Sequence, residues 1–166
     1  MKNLYIVRHS KAQEFAPDHT DFNRCLAPSG IEKATRIAKQ LSESFREPDL
    51  ILSSPACRAL ETAKIFARAL KYSEKDIRQL DPLYHFGGIN RALNIIGEVT
   101  PEIDTLMLFG HNPTFTALSW DLCDEFRQAM PTSAVVGLEF EFDNWQDIHL
   151  NKGKLISFLT RKNLNQ

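Results

Sequence analysis

Two short apolar runs in this chain each lead directly to a histidine. Leu4–Val7 is followed by Arg8 and His9, and Leu106–Phe109 is followed, after one glycine, by His111. Apolar runs of this length are typical of strands buried on both faces of an α/β sheet. Because ligands bind beyond the carboxyl ends of such strands, both histidines are expected at the same edge of the sheet.

A third strand end adds a second arginine to this set. Asp49–Ser53 has the pattern of a strand, and Arg58 follows it in the first turn of the next helix. An Arg-His pair at one strand end is commonly an ordinary surface feature. Three strand ends that together supply Arg8, Arg58, His9 and His111 instead predict one crevice lined by two guanidinium groups and two imidazoles.

These side chains suit a phosphoryl group. A guanidinium matches phosphate oxygens with a planar and permanently charged fork, and the helix start at Arg58 adds backbone N–H groups. An imidazole that is neutral near pH 7 can attack phosphorus, and a neighbouring arginine favours that neutral form. The second imidazole can donate a hydrogen bond to the transferring oxygens, and does so better when protonated. The pattern therefore predicts covalent phosphoryl transfer through a phosphohistidine.

Strand-length apolar runs alternate with segments of helical period along the chain. This alternation predicts an α/β fold with a largely parallel sheet. Helices are expected from Pro28 to about Phe45 and from Ala56 to Leu70, and two final strands near 134–142 and 155–161. With 166 residues, no repeat and no linker, residues 1–166 are expected to form a single domain.

Composition narrows the classes of function. The 20 basic and 21 acidic residues give a net charge of −1, which argues against a nucleic-acid partner. No apolar run approaches the ~20 residues of a membrane helix, and the amino terminus leaves no room for a secretory signal. The three cysteines are far apart in sequence, so reduced thiols in a cytoplasmic protein are expected, with no metal site.

The motifs resemble those of the histidine phosphatase superfamily, whose members share the phosphoglycerate mutase-like fold. Within it, the chain is most similar to the small SixA-like phosphohistidine phosphatases. The matching segments occur in the family's order, at residues 4–12, 21–24 with Leu26 and Gly30, 53–63, 108–113 and 131–133. The resemblance implies a three-layer α/β fold, with a mostly parallel central sheet flanked by helices.

The resemblance also implies a role for each predicted site residue. His9 would be the nucleophile that becomes phosphorylated, Arg8 and Arg58 would bind the phosphoryl oxygens, and His111 would complete the pocket and stabilise the transition state. Water would then release inorganic phosphate, without a metal or cofactor. The implied substrate is a phosphohistidine on a protein of signal transduction, such as a histidine-phosphotransfer domain or a phosphocarrier.

The chain departs from the family pattern at three points. Ser10 stands where glycine is common, and Cys25 where this branch often has proline. The glutamate that protonates the leaving oxygen in larger members has no evident counterpart. Asp81, His85 and Asp21 are candidates, but a capped turn, a surface histidine and an ion pair with Arg24 are the favoured interpretations of the three.

The missing acid bears on the choice of substrate. An alkoxide leaving group needs a positioned acid, whereas an imidazole leaving a P–N bond needs only a weaker donor. This favours a phosphohistidine substrate. A small-molecule phosphomonoesterase and a non-catalytic phosphate-binding regulatory module remain as alternatives, and a mutase fits least.

Overall fold

The computed structural model describes residues 1–45, 47–85 and 87–164. The predicted alternation of strands and helices is confirmed within these residues. The strands are β1 (Lys2–Arg8), β2 (Leu50–Ser53), β3 (Arg78–Gln79), β4 (Thr105–Gly110), β5 (Val135–Phe140) and β6 (Lys154–Leu159). The α-helices are α1 (Pro28–Ser44), α2 (Cys57–Ala69), α3 (Gly88–Gly97) and α4 (Thr114–Leu122).

The described strands form one mixed sheet in the order β3-β2-β4-β1-β5-β6. β1, β2, β3 and β4 run parallel to their neighbours among these four, whereas β5 and β6 join antiparallel at one edge. In the register of the central pair, Arg8 lies opposite Gly110. The parallel pairing brings the carboxyl ends of β1, β2 and β4 to one edge of the sheet, as the sequence predicted.

The helices cover both faces of the sheet. Alternate side chains of a strand point to opposite faces, so Leu4 and Ile6 of β1 pack in the core formed with α3 and α4. Tyr5 and Val7 pack in a second core formed with α1 and α2. The fold is therefore the expected three-layer α/β architecture, with buried residues on both sides of the central strands.

The segment that connects β1 to α1 is held close to the sheet edge. Ser10 is buried, and its hydroxyl donates to the carbonyl of Gly30 at 2.7 Å. A Cβ atom on Gly30 would lie 2.1 Å from the carbonyl oxygen of Lys11. Glycine is therefore required where α1 passes this segment.

The expectation of three reduced thiols was wrong for two of them. Cys25 and Cys57 form a disulfide, with Cα atoms 4.8 Å apart and a sequence separation of 32, and Cys123 is a buried free thiol. The β1–α1 connection runs along the start of α2, where the Cys57 N–H donates to the carbonyl of Phe22 at 3.0 Å. The spacing of the two cysteines in the sequence does not predict this contact.

Within residues 1–45, 47–85 and 87–164, no helix is long and apolar enough to cross a membrane.

Candidate active site

The four predicted site residues line one pocket at the carboxyl edge of the parallel strands. Arg8 and His9 come from the end of β1, Arg58 from the first turn of α2, and His111 from the residue after β4. The pocket has a volume of about 350 Å³. The rings of the two histidines lie 5.1 Å apart, so one phosphoryl group can contact both.

The backbone around His9 determines which of its ring nitrogens carries the proton. Nδ1 lies 2.7 Å from the carbonyl oxygen of Ser10, an atom that can only accept a hydrogen bond. Nδ1 is therefore the donor, and in the neutral ring Nε2 keeps its lone pair. Burial, with Arg58 and Arg8 nearby, lowers the pKa of His9 to about 4. His9 is thus neutral across the physiological pH range, the state that the predicted nucleophilic role requires.

His111 is neutral as well. Its Nε2 lies 2.8 Å from the Ser54 hydroxyl. Burial lowers the pKa of His111 to about 3, helped by the repulsion that a protonated His111 would meet from a protonated His9 and from Arg58. A bound phosphoryl dianion acts in the opposite direction, because a nearby negative charge favours the protonated imidazole. The protonated donor expected from the sequence is therefore disfavoured in the empty pocket, and a bound phosphoryl group shifts the pKa of His111 upwards towards it.

Two polar atoms of the pocket residues lack partners. Within the part of the chain that the structure describes, the buried side-chain nitrogens without a hydrogen bond are Arg8 Nε and His111 Nδ1. Buried polar atoms are almost always paired in folded proteins. Both of these buried, unpaired atoms belong to residues of the predicted site.

Arg8 is held by backbone rather than by a carboxylate. Its Nη1 donates to the carbonyl of Met130 at 2.9 Å, and the Asn112 side chain donates to the same oxygen at 3.0 Å. Partial burial lowers the pKa of Arg8. None of the hydrogen bonds of Arg8 in the described residues involves a carboxylate. Its positive charge is therefore not neutralised by a partner and remains available to a ligand in the pocket.

Arg58 is held by Asp21. Its Nη2 donates to the Asp21 carboxylate at 2.9 Å and its Nη1 to the Asp21 carbonyl at 2.8 Å. The other carboxylate oxygen accepts from Arg24 at 3.0 Å, and the Tyr84 hydroxyl donates to the carboxylate at 3.1 Å. Partial burial by itself would raise the pKa of Asp21, but the hydrogen bonds from Arg58, Arg24 and Tyr84 outweigh it and hold the pKa at about 2.

Asp21 and Tyr84 are site residues whose position the sequence did not reveal. The ion pair of Asp21 with Arg24 was expected and is present, but its contact with Arg58 was not foreseen. Tyr84 lies 5.7 Å from the His111 ring, measured between centroids. Both residues come from segments without a helical or strand period, and the match of 21–24 to the family motif was the only available signal.

The other two candidate acids, His85 and Asp81, are both exposed, and the side chain of Asp81 does not cap its turn as the sequence suggested. His85 is exposed and lines the pocket only at its rim, against Tyr84. Asp81 is exposed at the start of a short 3-10 helix and is absent from the described pocket lining.

A buried network of hydroxyl groups holds the His9 loop, the segment at His9 and Ser10 that follows β1, in place. The Ser10 N–H donates to the Thr62 hydroxyl at 3.0 Å, and that hydroxyl donates to the carbonyl of Arg58 at 2.7 Å. The Ser133 hydroxyl donates to Ser10, and the Ser133 N–H donates to the carbonyl of His9 at 3.1 Å. The backbone N–H of Ser10 therefore links the His9 loop to α2, and its hydroxyl, which a glycine would lack, links the loop to Gly30 and Ser133.

A separate cluster has the composition of a metal site. Among the described residues, one ligand atom each from Cys25, Cys57 and Glu61 lies within 4.8 Å of the others. The two sulfur atoms are bonded to each other, and the Glu61 carboxylate accepts the N–H of Leu26 at 2.7 Å. These contacts account for all three side chains as links between the β1–α1 connection and α2.

Comparison with known proteins agrees with this geometry. Residues 4–84 match the model of the histidine phosphatase superfamily (branch 1). The crystal structure of a SixA protein from Agrobacterium tumefaciens, assigned as a phosphohistidine phosphatase, is 32% identical and superimposes with a TM-score of 0.79, over 96% of this chain and 97% of that one. This chain belongs to the histidine phosphatase superfamily. It falls in the SixA-like branch and is a phosphatase.

Two further relatives span nearly the whole chain. The protein histidine phosphatase SixA complexed with tungstate shares the fold, with 22% identity and a TM-score of 0.82 over 98% of this chain and 99% of that one. An uncharacterized protein of Mycobacterium leprae is 26% identical over 92% of this chain and 98% of its own length. The expected phosphoglycerate mutase-like fold of this histidine phosphatase is thereby confirmed.

Proposed function

We propose that this histidine phosphatase hydrolyses phosphohistidine on a protein, through a covalent intermediate on His9. The observation that carries the proposal is the absence of a protonated carboxyl group among the described residues that line the pocket. Asp21 is the carboxylate there, and its pKa of about 2 keeps it ionised. The pocket is therefore suited to a leaving group that departs without a strong acid.

Phosphohistidine meets that condition. The Nε2 lone pair of His9 attacks phosphorus and forms a new P–N bond, while the P–N bond of the substrate breaks and its electron pair returns to the leaving imidazole. That nitrogen takes a proton from solvent. One P–N bond replaces another, and an imidazole is far more easily protonated near pH 7 than an alkoxide.

The second half of the reaction releases phosphate. A water oxygen attacks the phosphorus carried by His9, the P–N bond breaks, and its electron pair returns to Nε2. The water gives its proton to solvent, and inorganic phosphate leaves. Arg8, Arg58 and His111 bind the phosphoryl oxygens in both halves, and preorganised donors of this kind contribute strongly to catalysis.

The proposed substrate class points to the cytoplasm, where histidine-phosphotransfer domains and phosphocarriers act. Thiols are kept reduced there. The Cys25–Cys57 bond would then form only when conditions become oxidising.

The test compares wild type with His9→Ala on a phosphohistidine-bearing protein and on p-nitrophenyl phosphate. We expect rapid release from the phosphoprotein and slow ester hydrolysis by wild type, and a loss of at least about 10³-fold in His9→Ala, because no other group in the pocket replaces the nucleophile. Circular dichroism of His9→Ala should match wild type. Quenched wild type should carry an acid-labile phosphate that His9→Ala lacks.

Two results would contradict the proposal. Substantial turnover by folded His9→Ala would rule out the covalent mechanism. Fast ester hydrolysis with an inert phosphoprotein would instead assign the chain to the small-molecule phosphatases.

A further inference from the structure

A groove extends from the active-site pocket towards the antiparallel edge of the sheet. It has a volume of about 720 Å³, twice that of the pocket, and it shares Arg8 and Asn112 with the pocket. Beyond them it is lined by Lys33 of α1 and by Arg161 and Lys162, which follow β6. We call this surface the basic groove, defined by Lys33, Pro131, Phe158, Arg161 and Lys162.

The charged side chains that line the basic groove are all positive. Its described lining contains no carboxylate, and Lys33, Arg161 and Lys162 make no ion pair within residues 1–45, 47–85 and 87–164. Lys33 instead donates to the Thr132 hydroxyl at 2.9 Å. The chain as a whole carries a net charge of −1, so this local excess of positive charge is not a property of the entire surface.

The cations of the basic groove are close enough to repel one another. Burial lowers the pKa of Lys33, and the charges of Arg161 and Arg8 lower it further. Like charges held together in the absence of a carboxylate raise the free energy of the unbound protein, and an anionic partner relieves that cost.

The segment that presents Arg161 and Lys162 is anchored rather than loose. Asn163 accepts the Thr160 N–H at 2.6 Å and donates to the carbonyl of Phe158 at 2.7 Å. Leu164 is buried in the core on the α1–α2 side. The two cations are exposed on a turn whose backbone is held in place, and such preorganisation lowers the entropic cost of binding.

From this arrangement we infer that the basic groove binds an acidic surface next to the phosphohistidine of the protein substrate. The inference rests on the proposed function and names the feature by which the enzyme selects its partner. The groove is too large for the phosphoryl group alone, and its apolar lining residues Ala129, Pro131 and Phe158 suit contact with a protein surface. Its direct continuity with the pocket at Arg8 places the two contacts side by side.

The test uses two synthetic peptides of equal length, each phosphorylated on one central histidine. Glutamates flank the histidine in the first peptide, and glutamines replace them in the second. We expect wild type to show kcat/KM about tenfold higher for the glutamate peptide at low salt, because electrostatic steering raises association rates by about 10–10³-fold. The preference should shrink at about 0.5 M salt, where charges at the surface are screened.

Two matched charge-reversal variants test whether the preference for the glutamate peptide depends on the basic groove. Arg161→Glu/Lys162→Glu should abolish the preference and leave kcat/KM for the glutamine peptide within about twofold, since neither residue touches the phosphoryl pocket. Lys75→Glu/Arg78→Glu changes the net charge equally, at the β3 edge of the sheet opposite β6. This control should keep the preference.

Each alternative result has a distinct meaning. Equal rates on both peptides, or a preference that survives in Arg161→Glu/Lys162→Glu, would overturn the inference while leaving the proposed function intact. An equal loss in both double variants would also overturn it, since net charge and not the groove would then be responsible. Failure of wild type to hydrolyse either peptide would contradict the proposed function itself.

Discussion

The two arginines of the pocket are held in different ways. Arg8 extends from the central strand β1, and its hydrogen bonds within the described residues go to a backbone carbonyl, that of Met130. Arg58 stands at the start of α2 and is bound by the Asp21 carboxylate, which Arg24 and Tyr84 also contact. One side of the pocket is thus built by the sheet, and the other by a connection folded over the start of a helix.

The different partners of Arg8 and Arg58 give the two arginines different properties. Arg8 offers its charge without compensation, whereas the charge of Arg58 is partly neutralised by the group that orients it. A guanidinium bonded to a carboxylate gains a defined geometry and loses part of its attraction for phosphate. We infer that Arg8 contributes mainly to attracting the phosphoryl group and Arg58 mainly to orienting it.

The largest effect is expected when the two arginines are removed one at a time. Loss of one preorganised donor costs about 10²–10³-fold in kcat, and we expect a loss of that size in kcat/KM for Arg8→Ala. Arg58→Ala should lose about tenfold more, because the Asp21 carboxylate, which keeps only its contacts with Arg24 and Tyr84, then places a negative charge beside the phosphoryl group without the Arg58 charge to offset it. Steady-state kinetics on a phosphohistidine peptide measures both losses.

A rescue variant tests the cause of that asymmetry. Arg58→Ala/Asp21→Asn should regain on the order of tenfold over Arg58→Ala, because the repulsive charge is gone. A double variant no faster than Arg58→Ala would show that the carboxylate does not repel the substrate.

A smaller effect is expected from Asp21→Asn alone. A hydrogen bond to a charged group is worth about 1.5–3 kcal/mol, so the loosened Arg58 should lower kcat by about tenfold. KM should stay level or fall, since Arg58 regains its full charge. The pKa of Asp21 is lowered to about 2, so the carboxylate is ionised at every pH above that value. The ratio of wild-type to variant kcat should therefore be constant from pH 8 to pH 5.

A different outcome would reassign the role of Asp21. If the ratio changed with pH across that range, Asp21 would be acting as a proton donor. Asp18→Asn is a matched control, because Asp18 is exposed on the same connection and its side-chain hydrogen bonds, among the described residues, go to Thr20 and Asn23.

The smallest effect on catalysis is expected from the disulfide, which belongs to the same side of the pocket. A disulfide that spans 32 residues stabilises a fold by about 2–4 kcal/mol. Cys25→Ser/Cys57→Ser should lose this amount in urea unfolding, while kcat falls no more than about threefold because Asp21 still holds Arg58. Dithiothreitol should destabilise wild type and leave the variant unchanged. Equal stability of wild type with and without dithiothreitol would show that the thiols are not bonded in solution.

Local pattern was enough to predict the strands that build the site. Apolar runs specify β1, β2 and β4, and parallel strands deliver their last residues to one edge for reasons of geometry. Arg8, His9, Arg58 and His111 could therefore be named from the sequence and expected together. The two apolar faces of these strands likewise determined a sheet covered on both sides.

What the sequence could not supply is the contacts between distant segments. The pairing of Asp21 with Arg58 and the Cys25–Cys57 disulfide depend on how a connection without hydrophobic period folds back over α2. The protonated nitrogen of His9 depends on the direction of one carbonyl group, and the low pKa values of both histidines depend on burial. Periodicity records which face of an element is apolar, whereas these features arise from polar contacts between segments that only the tertiary structure brings together.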